Sequence, residues 1–244
     1  MLLTTQGLVL HTTPYADSSI IAKVFTRVMG MRSYIIKGVR SQSGRTKQNL
    51  LQPLSLLDMT VYNNPKKQLQ FIKEMHPAGA TPYATNDGVR MALMFFMDEV
   101  LYKSLKDEEP NERLFDYVVD TLHSLSREND LRHLPISFML HTSRFIGIEP
   151  MNNYSLHERL FNLKEGRFLA SADSAGDNID YCLDASSSNC LHSYLNSFYN
   201  NIPQPQLTAS QRSATLNNLI EYYHIHLDDF KNFKSHEVLH AVLR

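Results

Sequence analysis

His236-Glu-Val-Leu-His240 is the sharpest chemical pattern in the sequence, a literal HExxH. On a helix its two imidazoles share one face and can grip zinc, with the glutamate between them as general base, as in zinc proteases. Zinc needs a third protein ligand, usually found downstream, and only Ala241-Val-Leu-Arg244 follows here. His224 and His226 could supply one from upstream, but residues two apart on a helix point to different faces, a poor chelate. The pattern is therefore read as an amphipathic terminal helix, and a zinc metalloprotease ranks third among the functions weighed here. No GxSxG elbow singles out a nucleophile. Neither GxxxxGK[ST] nor GxGxxG is present, so nucleotide hydrolysis and dinucleotide redox have no local support. Asp107-Glu-Glu109 and Asp228-Asp229 read as hydrated helix ends. Cys182 and Cys190 are too few for a disulfide framework and lack CxxC spacing, which fits thiols in a reducing compartment. No catalytic residue, metal or cofactor is expected, and the sequence does not read as an enzyme.

A second chemistry is cationic. Between Lys23 and Lys47 stand Lys23, Arg27, Arg32, Lys37, Arg40, Arg45 and Lys47, with no acid among them. They interleave with strand-type residues, as in Ser19-Ile-Ile-Ala-Lys-Val-Phe-Thr26 and Met31-Arg-Ser-Tyr-Ile-Ile-Lys-Gly38. Alternation sends one row of side chains into a core and the other into water. A cationic outer face suits a phosphate backbone, and it equally suits a merely well-solvated sheet. The net charge of −1 hides an asymmetry. Residues 1–80 hold ten Lys/Arg against Asp17, Asp58 and Glu74, or +7; of the totals of 24 and 25, residues 81–244 keep 14 basic and 22 acidic, or −8. That division points to a polyanion-binding module joined to a body with another task.

The elements that must position these residues follow from periodicity. Strands are expected over 4–13, 18–28, 31–39, 54–62 and 68–75, with Gly30 in a tight turn and 40–48 as an exposed loop. Five short strands in so few residues predict a small barrel, an OB-fold or an SH3-like barrel. Past Pro77, Gly79 and Pro82 the pattern turns helical. Asn86 or Asp87 caps a helix to about Leu105, apolar on almost every side and hence buried. Pro110 is expected in the first turn of the next, and Leu134–Ile146 forms a third, ended by Gly147. A small hairpin is expected over 159–170, a loop over 171–178 and a helix over 187–199. Thr208 with Gln211 forms a capping box, and Ser235 caps a last helix. The domains are thus expected at 1–80 and 81–244, with an irregular insert near 149–185. At 244 residues there is ample core. No run of ~18 apolar residues predicts a membrane span, and the first ten residues lack the features of a signal peptide, so the cytoplasm is the default.

Read together, Gly7-Leu-Val-Leu-His-Thr-Thr-Pro-Tyr-Ala-Asp-Ser18, Ile21-Ala-Lys-Val-Phe-Thr26, Gly30, Lys37-Gly-Val-Arg40 and Leu51-Gln-Pro-Leu-Ser55 resemble the start of the RecO family of bacterial recombination mediators. Tyr223-His-Ile-His-Leu227 and Phe233-Lys-Ser-His-Glu-Val-Leu239 resemble its closing helices. The likeness runs from Gly7 nearly to the end, and order and spacing carry it. It implies an α+β protein: an N-terminal five-stranded OB-fold barrel, then an α-helical domain, often with a four-cysteine zinc knuckle. It implies a protein of the cytoplasm and nucleoid that binds single- and double-stranded DNA and anneals complementary strands. With RecR, such a protein helps load RecA onto DNA coated by single-strand-binding protein, whose acidic C-terminal tail docks on the helical domain. By position, Lys37 and Arg40 match the family's basic strand and loop, and Arg32, Arg45 and Lys47 extend it. Where the knuckle's CxxC would follow Ile148-Glu-Pro150 stands Met151-Asn-Asn-Tyr154, which predicts a degenerate, metal-free insert. The likeness also gives the HExxH helix no metal role. Tyr34, Phe25 or another exposed aromatic is expected to stack on bases. Arg113, Arg127, Arg132 and Arg144 are candidates for the partner tail. The alternative is a non-catalytic protein-interaction adaptor built on the barrel.

Overall fold

The computed structural model describes residues 1–39, 48–64, 66–79, 87–105 and 109–242, with side chains to residue 239. It forms two compact units, Met1–Glu128 and Asn129–Arg244. The first opens with β1 (Leu2–Tyr15), β2 (Ser19–Thr26), β3 (Gly30–Ile36), β4 (Leu56–Tyr62) and β5 (Leu69–Pro77). These close in the order β1-β2-β3-β5-β4, an OB-like barrel in which every neighbouring pair is antiparallel except β3 and β5. Gly30 takes φ +66° where β2 turns into β3, a conformation glycine adopts at no steric cost. The interior is filled by the inward rows of the strands, including Val9, Ala22, Val24, Tyr34, Leu57 and Val61.

One stretch departs from simple alternation. Gly7, Leu8, Val9 and Leu10 are all buried, so β1 is covered on both faces over this run. The outer cover is helical. α1 (Gly88–Ser104) lies against β1, and Phe115 of α2 (Glu112–Leu125) meets Phe25 of β2 at 5.6 Å between ring centroids. Burying such a side chain is worth roughly 1.5–3 kcal/mol, and a tilted aromatic pair about 0.5–1.5 more. The first unit thus keeps two helices with the barrel.

Asp87 caps α1, its Oδ1 accepting from the Val89 and Arg90 amides. Asn111 caps α2 by accepting from the Leu114 amide, so Pro110 stands one residue outside that helix and not in its first turn. The reason is chemical: an asparagine oxygen satisfies an orphan donor of the first turn, and proline cannot.

The second unit holds α3 (Leu134–Phe145), the hairpin β6 (Leu160–Asn162) and β7 (Arg167–Leu169), α4 (Ala185–Asn200), α5 (Ala209–His226) and α6 (Ser235–Val242). Tyr223 of α5, fully buried, donates to the Met139 carbonyl of α3 at 2.6 Å. The expected loop at 171–178 is instead a 3-10 segment, Ala172–Tyr181, broken at Gly176 with φ +53°. α4 begins two residues early because Asp184 caps it, accepting from Ser186 and Ser187. The Thr208–Gln211 capping box forms as read.

The residues where the resemblance implies a zinc knuckle do not fit that metal. Asn153 clamps both backbone groups of Phe168, its Oδ1 accepting at 2.8 Å and its Nδ2 donating at 2.9 Å. Asn162 Oδ1 accepts from the Lys164 and Glu165 amides, and its Nδ2 donates to Cys182 Sγ at 3.2 Å. These amides hold the hairpin by hydrogen bonds and offer zinc no thiolate or imidazole set. Among the described residues, no group of three or more His, Cys, Asp or Glu is placed to hold a metal. His236 of the HExxH stacks on Phe233 at 5.6 Å, and the side chain of His240 lies outside the described residues.

Candidate nucleic-acid interface

The strand register distributes the cations that the sequence brought together. Lys23 pairs across from Ser33 and projects from the outer face, its Nζ 5.2 Å from the Tyr102 ring of α1. Beside it the His11 ring lies tilted against Tyr102, 4.9 Å between centroids, and burial, then the Lys23 charge, lowers the imidazole pKa. Arg27 follows β2 and turns to α2: Nε and Nη2 donate to Asp116 at 2.9 and 3.0 Å, and Nη1 reaches Glu112 at 2.8 Å. The Arg27 hydrogen bond holds the Asp116 carboxyl below its usual range. Arg32 pairs across from Val24, on the row that carries Tyr34 and Ile36 to the interior side. Lys37 lies just past β3, its Nζ 5.7 Å from the Phe71 ring. Arg40, Arg45 and Lys47 lie outside the described residues. Lys23, Arg27, Arg32 and Lys37 thus do not share one face.

The two aromatics expected to stack on bases are both core residues. Tyr34 is fully buried and Phe25 is 1% exposed. Tyr34 sits on an inward row, and Phe25 sits on an outward row that α2 covers. Exposed aromatics of the barrel include Tyr15 at the end of β1, 46% exposed, and a pair on β4 and β5. Tyr62 ends β4 at 48% exposure, and Phe71, directly opposite on β5, is 38% exposed.

Tyr62 and Phe71 border an opening in the barrel. β3 pairs with β5 at only three positions, Ser33↔Leu69, Tyr34↔Gln70 and Ile35↔Phe71. β4, by contrast, follows β5 as far as Pro77. Beyond Phe71, then, β5 has β4 on one side and, among the described residues, a groove on the other. The groove has a volume of about 1000 Å3. Ile35, Ile36, Leu50 and Met75 form its apolar wall, and Lys37 and Lys73 stand on its lining. Lys73 reaches Glu74 at 3.6 Å, an exposed pair of little strength. Sequence reading missed Phe71, Tyr62 and Lys73. The outward row Leu69-x-Phe71-x-Lys73 was visible in the alternation, but the short β3–β5 seam that opens beside it was not.

The candidate tail-binding arginines fall in both units. Arg113 is exposed on α2 and Arg127 just after it. In the second unit Arg132 is held by Asp130, which accepts from its Nη2 at 2.6 Å. Arg144 lies 5.3 Å from the Phe198 ring and 5.7 Å from Tyr199, with Glu149 at 3.3 Å.

An OB-like barrel rich in lysine and arginine, followed by a unit built mainly of helices, defines a class of two-part protein. The family model for the N terminal of recombination protein O matches residues 1–80, and that for its C terminal matches residues 85–236. The chain is 25% identical over 244 residues to the DNA repair protein RecO of Christiangramia forsetii, and 29% identical over 255 residues to that of Flavobacterium psychrophilum. Each alignment covers 99% of both chains. The DNA repair protein RecO of Porphyromonas gingivalis is 28% identical over 98% of each. The chain belongs to the RecO family of bacterial DNA repair proteins. Among the described residues no helix is long and apolar enough to cross a membrane.

Proposed function

We propose that this chain is a sequence-independent DNA-binding recombination mediator that anneals complementary strands. With RecR it would help load RecA onto DNA coated by single-strand-binding protein. The observation that carries the reading is the concentration of charge: ten Lys/Arg against three acids over residues 1–80, the segment that folds into the OB-like barrel. Lysine and arginine neutralise phosphates and release condensed counterions, so affinity follows salt and not sequence. Lys23, Arg32 and Lys37, together with Arg40, Arg45 and Lys47, are the proposed backbone contacts. Arg27, chosen from sequence with them, already holds two carboxylates of α2. Two strands screened on one protein can then approach and pair without the protein reading either. The acidic tail of single-strand-binding protein would dock at Arg144, whose neighbours Phe198 and Tyr199 add apolar surface to its charge.

The test is a salt titration of binding to a fluorescent mixed-sequence single strand, with and without duplex competitor. Engagement of about five phosphates gives a slope of log affinity against log salt of roughly −3.5. Reversing Arg40, Arg45 and Lys47 together to Glu should flatten that slope, whereas Arg27→Gln should leave it unchanged. Affinity and slope both untouched by the triple reversal would remove this surface from the proposal. Absence of binding at low salt would favour the protein-interaction adaptor.

A further inference from the structure

The proposed function leaves open how a barrel that reads only phosphates would tell one strand from two. We propose that the groove beside β5 is a base-stacking subsite for single-stranded nucleic acid, with Phe71 and Tyr62 as its platform. The inference rests on the DNA-binding reading above and adds a strand preference to it.

Phe71 and Tyr62 are directly opposite in the β4–β5 ladder, so their side chains leave the sheet on one face as neighbours. Both are exposed in a barrel whose other large aromatics of β2 and β3, Phe25 and Tyr34, are buried. Exposing two adjacent aromatic rings costs hydration free energy unless something covers them. The apolar wall of Ile35, Ile36, Leu50 and Met75 continues their surface into an opening of about 1000 Å3, ample for a nucleobase.

The occupant follows from the charge. Lys37 Nζ already lies over the Phe71 ring and Lys73 stands two residues along the same strand. Lys66 and Lys67 lie in the β4–β5 connection, while Glu74 is the acid on the groove. A cation above an aromatic platform matches a stacked base carrying its own phosphate: the ring takes the base, and the ammonium moves from the ring face to the phosphate oxygen. Every base has a π-face, so the site is tolerant of sequence. A base-paired base is stacked within its duplex and cannot enter. The groove therefore binds single strands, while the cations elsewhere on the barrel bind either form.

Two substitutions test this. Phe71→Leu keeps apolar bulk and removes the stacking face. Phe71→Trp keeps the face and, in a chain with no native tryptophan, gives a single tryptophan whose emission can be excited selectively over tyrosine. With oligodeoxythymidine as probe, Phe71→Leu should lower single-strand affinity roughly 5- to 150-fold, the loss of one stacked base. Its duplex affinity and its salt slope should not change. Phe71→Trp should keep wild-type affinity, and its emission should be quenched as the oligomer is added. If wild-type protein binds both forms and Phe71→Leu binds oligodeoxythymidine equally well, the subsite is wrong and the mediator reading stands. An equal loss on duplex and single strand also overturns it, since stacking cannot act on paired bases. If the wild type binds neither form at low salt, the reading beneath it has failed. A Phe71→Trp signal that answers an acidic peptide but not the oligomer assigns the groove to a protein partner and overturns the proposal.

Discussion

A guanidinium held between two carboxylates gains little from a phosphate, because the phosphate must first displace partners that already neutralise it. Arg27 is in that position, and its charge docks α2 on the barrel. Composition could not separate it from Lys23 or Lys37, since its acids come from residues 112 and 116. Asp98 of α1 presents the opposite case. Among the described residues its Oδ1 is occluded with no hydrogen-bond partner, and burial, reinforced by neighbouring Glu99, pushes the carboxyl pKa well above the usual range. The folded chain keeps this proton where the unfolded chain has released it, so this group's contribution to stability falls as pH rises from about 4 toward the folded-state pKa. Asp98→Asn cannot ionise. It should raise the melting temperature at about pH 7 and leave it nearly unchanged at about pH 3, where the folded and unfolded chains both largely hold the proton. Thermal unfolding at the two pH values checks this, and an equal shift at both would place the effect in packing.

At the level of the element, the caps were the most legible features. Asp87 and the Thr208–Gln211 box carry their signal in side chains next to the backbone they satisfy. Thr208→Ala should cost about 1 kcal/mol, measured by denaturant unfolding. The β6–β7 turn depends on more than local chemistry. Gly166 has φ +68°, and a Cβ there would lie 2.9 Å from the Tyr222 hydroxyl, which donates to Ile148 O. Gly166→Ala should therefore cost more than the cap, with about 1–2 kcal/mol of backbone strain added to the displaced tyrosine. Sequence gave the hairpin's place through the Lys164-Glu-Gly166 turn signal, but not this contact, since Tyr222 is far along the chain. The 3-10 segment Ala172–Tyr181 escaped for a related reason: its polar residues match a loop, and the Leu163 amide's bond to Tyr181 O is tertiary.

For the molecule as a whole, charge segregation and strand count were readable in order along the chain, and both survive in the OB-like barrel. What alternation could not give was the side each strand's outer row would meet. On β1 and β2 it meets helices, which buries Leu8, Leu10 and Phe25 and engages Lys23 and Arg27. On β4 and β5 it leaves Tyr62 and Phe71 exposed. This exposed aromatic pair therefore stands on strands the cation pattern did not single out.

The barrel is fastened by three residue pairs between β3 and β5 and by six to eight at each other junction. Such a clasp has one preferred place to breathe. Deuterium should reach the amides of Leu69–Phe71 well before those of the β1–β2 ladder, because opening three pairs needs less free energy than opening eight. If a polynucleotide lodges beside that clasp, it will act as a latch, and the same amides will be the ones whose uptake slows.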